Sequence, residues 1–479
     1  MAAALLLLGA LHSAAASPAQ PLGAASSDLG DAWPAPPPHA APCSEVSSSI
    51  GSDMVLQRAP EQAVIFGHAC GKLATAKTVS VSLDGGKPLS APLRPEAPWQ
   101  VTLPPTPASH TPHTLRVSGG GFDVTYTNIL FGDVILCSGQ SNMCFSTNQM
   151  SGASAEIALA DEPRFRSIRL FTVTPTHATK PATDVTVMQP WSVANSSSVG
   201  GGAANKSFSY FSAACWLQGR HLYDRLGGQV PLGLLTSAVG GTRIHCWSSA
   251  EALHECPQYL NGTTSPTDSN LWNTMIAPLL PMRFRFMVWL QSESDVCASD
   301  SQCAPQRGAK YYACAIQAMV KDWRAKFRAI LPFLWVQISP WEGHEAATTA
   351  NQLPDMRIAQ MAANDLPLTG MATAVDLGPN ATKDGWDTGD EHGPDPWGNV
   401  HFRNKGPLGP RLSAAAMNIV YKNRSVPYRG PEAASASRVA DAALGCNGEP
   451  LAGVAVSFKP ETLGGGLEWQ ERQCTRNSR

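Results

Sequence analysis

A chain of 479 residues with a formal net charge of −2 is long enough for a large catalytic unit with an appended module, and it has no basic field for binding nucleic acid. Its 41 glycines and 39 prolines point to many loops rather than to a helical bundle. No apolar stretch reaches the roughly 18 to 20 uninterrupted residues that stable membrane insertion requires.

Residues 1–16 read as a signal peptide, with the apolar core Leu5-Leu6-Leu7-Leu8 and the small residues Ala14-Ala15-Ala16 where a signal peptidase cuts. Residues 17–45 are rich in Ala, Ser and Pro and are expected to be a poorly ordered linker. Over 46–130 the pattern becomes short strand-like runs: Ala63–Phe66, Val79–Leu83, Gln100–Leu103 and Thr114–Val117. Asp84-Gly85 and Gly119-Gly120-Gly121 supply turns between them, so a β-rich module is expected here.

From Asp133 onward strands alternate with helices. The apolar run Val134-Ile135-Leu136-Cys137 leads into Gly139-Gln140-Ser141-Asn142-Met143, which places Ser141 on the loop at the end of a buried strand. Open α/β sheets do their chemistry at that edge. A serine hydroxyl becomes a useful nucleophile only when a base takes its proton and backbone amides neutralise the oxyanion its attack creates.

Three later segments supply those partners. Gly233–Val239 is a second apolar strand ending in Gly240-Gly241, whose missing side chains let backbone N–H groups approach a ligand closely. Met287–Leu290 is a third, running into Gln291-Ser292-Glu293-Ser294-Asp295. Gly398–Lys405 sets His401 just ahead of a helical stretch.

Phe211, Cys215, Leu222 and Leu226 share one helical face, as do Ile316, Met319, Val320, Trp323 and Phe327. Phe333–Ile338 and Met371–Val375 are further strands. The alternation predicts an α/β fold, a doubly wound parallel sheet with helices on both faces.

Several separated motifs, in order, resemble the sialate O-acetylesterases of the SGNH/GDSL-like hydrolase superfamily. They are Gly51–Gln57, Leu130–Val134 running into Gln140–Met143, Cys215–Asp224, Gly240-Gly241-Thr242 with Trp247-Ser248-Ser249, and Leu271-Trp272-Asn273 with Met275-Ile276. The likeness runs from about Ile50 to Tyr428, so 131–428 is expected to be an SGNH-like catalytic domain. Residues 429–479 would then be a C-terminal tail or a shortened β region, with strand-like Val454–Phe458.

The resemblance implies that Ser141 attacks an acetyl carbonyl and that His401 takes its proton and later activates water. It also implies that the N–H of Ser141, Gly240 or Gly241 and the Gln291 side chain stabilise the oxyanion. The acid orienting His401 is the weakest position. In the superfamily that the chain resembles, an Asp three residues before the histidine usually does this, where this chain has Gly398. Asp395 is nearest, with Asp376, Asp387, Asp390 and Glu391 as other candidates.

Ser292 replaces a common Gly, Asp295 an Asn, Phe402 a Pro, and Arg243 and His245 stand where Pro and Glu are common. Arg243 is a candidate for holding the carboxylate of a sialic acid through two parallel hydrogen bonds, set against a plain solvated loop arginine.

The expected function is removal of O-acetyl groups from sialic acids or sialoglycans without cofactor or metal. The alternatives are an acetylesterase for another carbohydrate and a noncatalytic glycan-binding relative. Twelve cysteines with no Cys-x-x-Cys pair suit disulfides rather than zinc, Cys297 and Cys303 being candidates for closing one loop. Sequons at Asn195, Asn205, Asn261, Asn380 and Asn423 agree with a secreted or lysosomal glycoprotein.

Overall fold

The computed structural model describes residues 44–201, 211–257, 264–297, 307–341, 352–378, 381–382, 385–386, 400–444 and 450–460. The N-terminal strands are β1 (Val55–Gln57), β2 (Val64–His68), β3 (Thr78–Leu83), β4 (Leu89–Pro92), β5 (Pro98–Thr102) and β6 (Ser109–Gly119). β2 pairs with β5, and β3 pairs with β4 and β6, all antiparallel.

The long strand β7 (Phe122–Gly139) pairs antiparallel with β6 over its first half and then enters a second set of strands. These are β8 (Ile168–Val173), β9 (Val187–Val193), β10 (Leu232–Ala238), β11 (Phe286–Leu290), β12 (Phe333–Gln337) and β13 (Thr369–Thr373). The sheet order is β13-β12-β11-β7-β10-β8-β9. All neighbours are parallel except β9, which runs antiparallel to β8 at one edge. The expected doubly wound parallel sheet is present, and one continuous strand carries the chain from the β-rich segment into it.

Alternation along the strands divides the apolar residues between two faces. Leu136, Leu235, Trp289 and Phe333 pack on one side with Met319, Val320 and Trp323 of the helix Ala309–Phe327. Ile135, Cys137, Leu234, Val288 and Leu334 pack on the other with the helices Ala213–Arg225 and Leu408–Ile419. A disulfide from Cys137 to Cys215 ties β7 to the first of these two helices, and Cys256 is bonded to Cys314. Cys70 and Cys297 are disulfide-bonded too, while Cys303 lies outside the described residues.

The strands β14 (Ala381–Thr382) and β15 (Gly385–Trp386) form a short antiparallel pair. After Tyr428 the chain forms a hairpin of β16 (Ala433–Leu444) and β17 (Pro450–Phe458), which contains the expected strand at Val454–Phe458. Among the described residues no helix is long and apolar enough to cross a membrane, and no group of three or more metal-ligating side chains occurs.

Candidate active site

Parallel pairing brings three strand ends into line. Gly139 of β7 lies opposite Ala238 of β10 and Leu290 of β11, so the loops that follow emerge side by side. The chain runs from β7 outward to β8 and β9 on one side and, after β10, to β11, β12 and β13 on the other. That reversal of direction beside β7 opens the crevice in which α/β sheets hold ligands.

Ser141 begins the short helix Ser141–Cys144 directly past β7 and is 6% exposed. The first N–H groups of a helix have no intrahelical acceptor and face whatever stands at its start. Gly240 closes against the serine: a Cβ built on it would come within 3.4 Å of the Ser141 Cβ. Gly241 has φ +70°, the left-handed region that suits glycine. Burial pushes the nearby Cys144 thiol up to about 12, which favours its protonated form.

Gln291 directly follows β11. It is fully enclosed, and its amide nitrogen lies 3.1 Å from Gln140 Oε1, 3.0 Å from the Thr242 carbonyl and 2.6 Å from Asp295 Oδ2. Its two N–H bonds face three acceptors, so in this conformation the side chain braces the loops. Gln140 Oε1 also accepts from the N–H groups of Ser292 and Ser294. Asp295 Oδ2 accepts from Ile244 N at 3.0 Å, which anchors the Arg243 segment to the same wall. Burial raises the Asp295 carboxyl above its ordinary range, against the pull of the Gln291 hydrogen bond.

His401 is 7% exposed, and its ring stacks on Phe145 at 6.3 Å between centroids. Its loop is docked on the segment that follows β7, with Asn142 Nδ2 donating to the Val400 carbonyl at 2.9 Å and Ser151 N to the Arg403 carbonyl at 3.0 Å. Among the described residues no hydrogen bond joins Ser141 to His401; such contacts commonly close only on substrate binding.

Asp376 is engaged elsewhere, in a two-pronged pair with Arg411 that holds its carboxyl below the usual range. Asp387, Asp390, Glu391 and Asp395 lie outside the described residues. Arg243 is partly buried and makes no ion pair among the described residues.

Three side chains that sequence reasoning left without a role sit at the centre. Asn142 donates to Glu293 Oε1 at 2.6 Å as well as to Val400, and Lys405 Nζ donates to Asn142 Oδ1 at 2.6 Å. Burial raises the Glu293 carboxyl above its ordinary range. The signal for Lys405 was a lysine four residues past the histidine, but nothing in one sequence tells a buried lysine from an exposed one.

Comparison with known proteins identifies the family. Residues 131–384, more than half of the chain, match the family described as carbohydrate esterase, sialic acid-specific acetylesterase. The sialate O-acetylesterase of Homo sapiens is 32% identical over 415 residues, covering 80% of this chain and 72% of that protein. The Mus musculus protein of the same name is 30% identical over 441 residues, covering 80% and 75%. The crystal structure of a carbohydrate acetylesterase from Xanthomonas citri superposes with a TM-score of 0.66 at 26% identity, covering 86% of this chain and 81% of that one. On these matches the chain belongs to the sialic acid-specific acetylesterase family of carboxylic ester hydrolases.

Proposed function

We propose that this protein is a serine esterase that removes O-acetyl groups from sialic acids through an acetyl-serine intermediate. The observation that carries the reading is the alignment of the β7, β10 and β11 ends, which sets Ser141 against Gly240 beside the docked His401 loop. The sialate O-acetylesterases among its relatives support the substrate class.

Ser141 Oγ attacks the acetyl carbonyl as His401 accepts its proton. The oxyanion is held by the N–H of Ser141 and by Gly240 or Gly241, each donor contributing about 3 kcal/mol in the transition state. Collapse expels the sugar alkoxide, which takes the proton from His401. Water then attacks the acetyl-serine with His401 as base, and acetate leaves. Arg243, without an ion pair among the described residues and anchored beside the site through Ile244 and Asp295, receives the sugar carboxylate.

Asp395 is the proposed orienting acid. Residues 131–428 make up the catalytic domain, preceded by the β-rich segment 46–130, the linker 17–45 and a signal peptide at 1–16, with 429–479 as the C-terminal region. The protein is then secreted or lysosomal. It is glycosylated at sequons such as Asn423, which is exposed, whereas the Asn195 side chain caps the helix Ser196–Gly200. Asn205, Asn261 and Asn380 lie outside the described residues.

A second reading, deacetylation of a different sugar, is favoured by the fit to the Xanthomonas citri carbohydrate acetylesterase. Purified protein is assayed on an aryl acetate, an O-acetylated sialic acid and an acetylated xylan, with Ser141→Ala alongside. The expected result is preference for the sialic acid and loss of all turnover and of fluorophosphonate labelling in the variant. Undiminished turnover by folded Ser141→Ala would sink the serine mechanism, and preference for xylan would establish the second reading. No turnover by folded wild type on any ester would indicate a glycan-binding relative.

A further inference from the structure

We propose that Asn142 is the positioning residue that sets His401 against Ser141, itself clamped by Lys405 and Glu293. The proposal rests on the reading of Ser141 and His401 as nucleophile and base. Asn142 shares a peptide bond with Ser141, and its Nδ2 donates at 2.9 Å to the carbonyl of Val400, which shares a peptide bond with His401. One hydrogen bond therefore joins the two peptide units that carry the reacting side chains.

The amide has no freedom to turn. Its second N–H goes to Glu293 Oε1 at 2.6 Å and its oxygen accepts from Lys405 Nζ at 2.6 Å, so rotation about χ2 would break all three contacts. Asn142 and Lys405 are fully enclosed and Glu293 is 7% exposed, where charge-assisted hydrogen bonds are strong and an unmatched partner is costly.

Lys405 closes a second link. Its ammonium stands 3.3 Å from the centroid of Phe402 and 4.8 Å from that of Phe145, and Phe145 is the ring on which His401 stacks. A buried lysine and a buried glutamate thus meet the same amide group from its two ends. The arrangement is economical as a means of fixing three loops, from the ends of β7 and β11 and from the histidine segment, at one atom group.

The test uses full-length protein with Asn142→Ala, Asn142→Asp and Lys405→Met. Hydrolysis of 4-nitrophenyl acetate is expressed per active site titrated with fluorophosphonate, and melting is followed by circular dichroism. For Asn142→Ala, kcat per titrated site is expected to fall about 100-fold, the scale of a misplaced reacting group, with KM changed less than about threefold.

Asn142→Asp keeps the acceptor for Lys405 but loses the donor to Val400, and is expected to be as slow as the alanine variant. Lys405→Met should lower kcat about tenfold by unclamping the amide. It decides the matter if the Asn142 variants fail to fold.

Near wild-type kcat per titrated site in the folded variants, whatever their melting points, would overturn the proposal, as would recovery of the rate by Asn142→Asp. Failure of the underlying reading looks different: folded Ser141→Ala or His401→Ala would keep turning over.

Discussion

Gly139 and Leu290 are paired across β7 and β11 so closely that a Cβ on the glycine would overlap the leucine carbonyl oxygen. Gly139 also has φ +143°, a conformation that L side chains rarely adopt. The tight approach lets the chain turn at the strand end and deliver Ser141 to the rim. Gly139→Ala meets both penalties, and backbone cannot move aside as a side-chain tip can. A loss of at least about 3 kcal/mol in unfolding free energy is expected, together with loss of esterase activity. Urea denaturation measures it; a loss below about 1 kcal/mol would mean that the strand ends readjust freely.

Ser292 presents the opposite case, a residue with a side chain where the backbone favours none. Its φ is +137° and its hydroxyl is buried without a hydrogen-bond partner among the described residues. Ser292→Gly relieves both costs while keeping the N–H that reaches Gln140, offset in part by the greater freedom of glycine in the unfolded chain. A net gain of about 1 kcal/mol is expected. A lower denaturant midpoint in the variant would show that the conformation is unstrained.

The strands that carry the site were legible because each is a short apolar run ending in small or polar residues, as at Cys137 to Ser141 and Val239 to Gly241. Both helical faces were legible from their 3.6-residue spacing, and their apolar residues pack against the sheet. β8 was hidden because Arg169 interrupts its run, and only the fold shows that arginine buried against Asp53 and Asn128. Pro190 similarly disguised β9, an edge strand that tolerates it. The Asn142, Glu293 and Lys405 cluster joins residues 151 and 263 positions apart in the chain, a contact without local periodicity to announce it. The orientation of the Gln291 amide likewise depends on three acceptors from other segments.

The buried Glu293 carboxyl makes stability depend on pH in a defined direction. Burial raises its pKa above the ordinary 4.5, outweighing the hydrogen bond from Asn142. An acid whose folded pKa is raised binds its proton more tightly in the folded state. Its contribution is therefore fully present below the unfolded pKa and is lost as pH rises through the folded one. Glu293→Gln removes this titration. The stability of the variant relative to wild type is expected to increase with pH above 4.5 and then level off, as followed by urea denaturation between about pH 5 and 8. Carboxylates shifted downward, such as Asp376, are common to both proteins and cancel in the difference. A difference that does not vary with pH would mean that Glu293 titrates as an ordinary carboxyl.

The acid proposed for His401 can be narrowed by what Asp376 is doing. Both of its oxygens are engaged by Arg411, at 2.7 and 2.6 Å, and the side chain is 59% exposed, so its charge is spent on a surface pair. Asp376→Asn should therefore change kcat/KM for an aryl acetate by less than about threefold, the range of a screened surface charge. Loss of an acid that fixes the tautomer of a catalytic histidine costs on the order of 10⁴ in kcat, and that is the effect expected of Asp395→Asn. Asp387→Asn and Asp390→Asn complete the series. If Asp376→Asn is the variant that loses the rate, the pair with Arg411 must open in the working enzyme and Asp376 is the acid. If all four keep near-native turnover while His401→Ala does not, no single carboxylate among them is required. The imidazole is then oriented by its backbone, held through Val400 and Asn142.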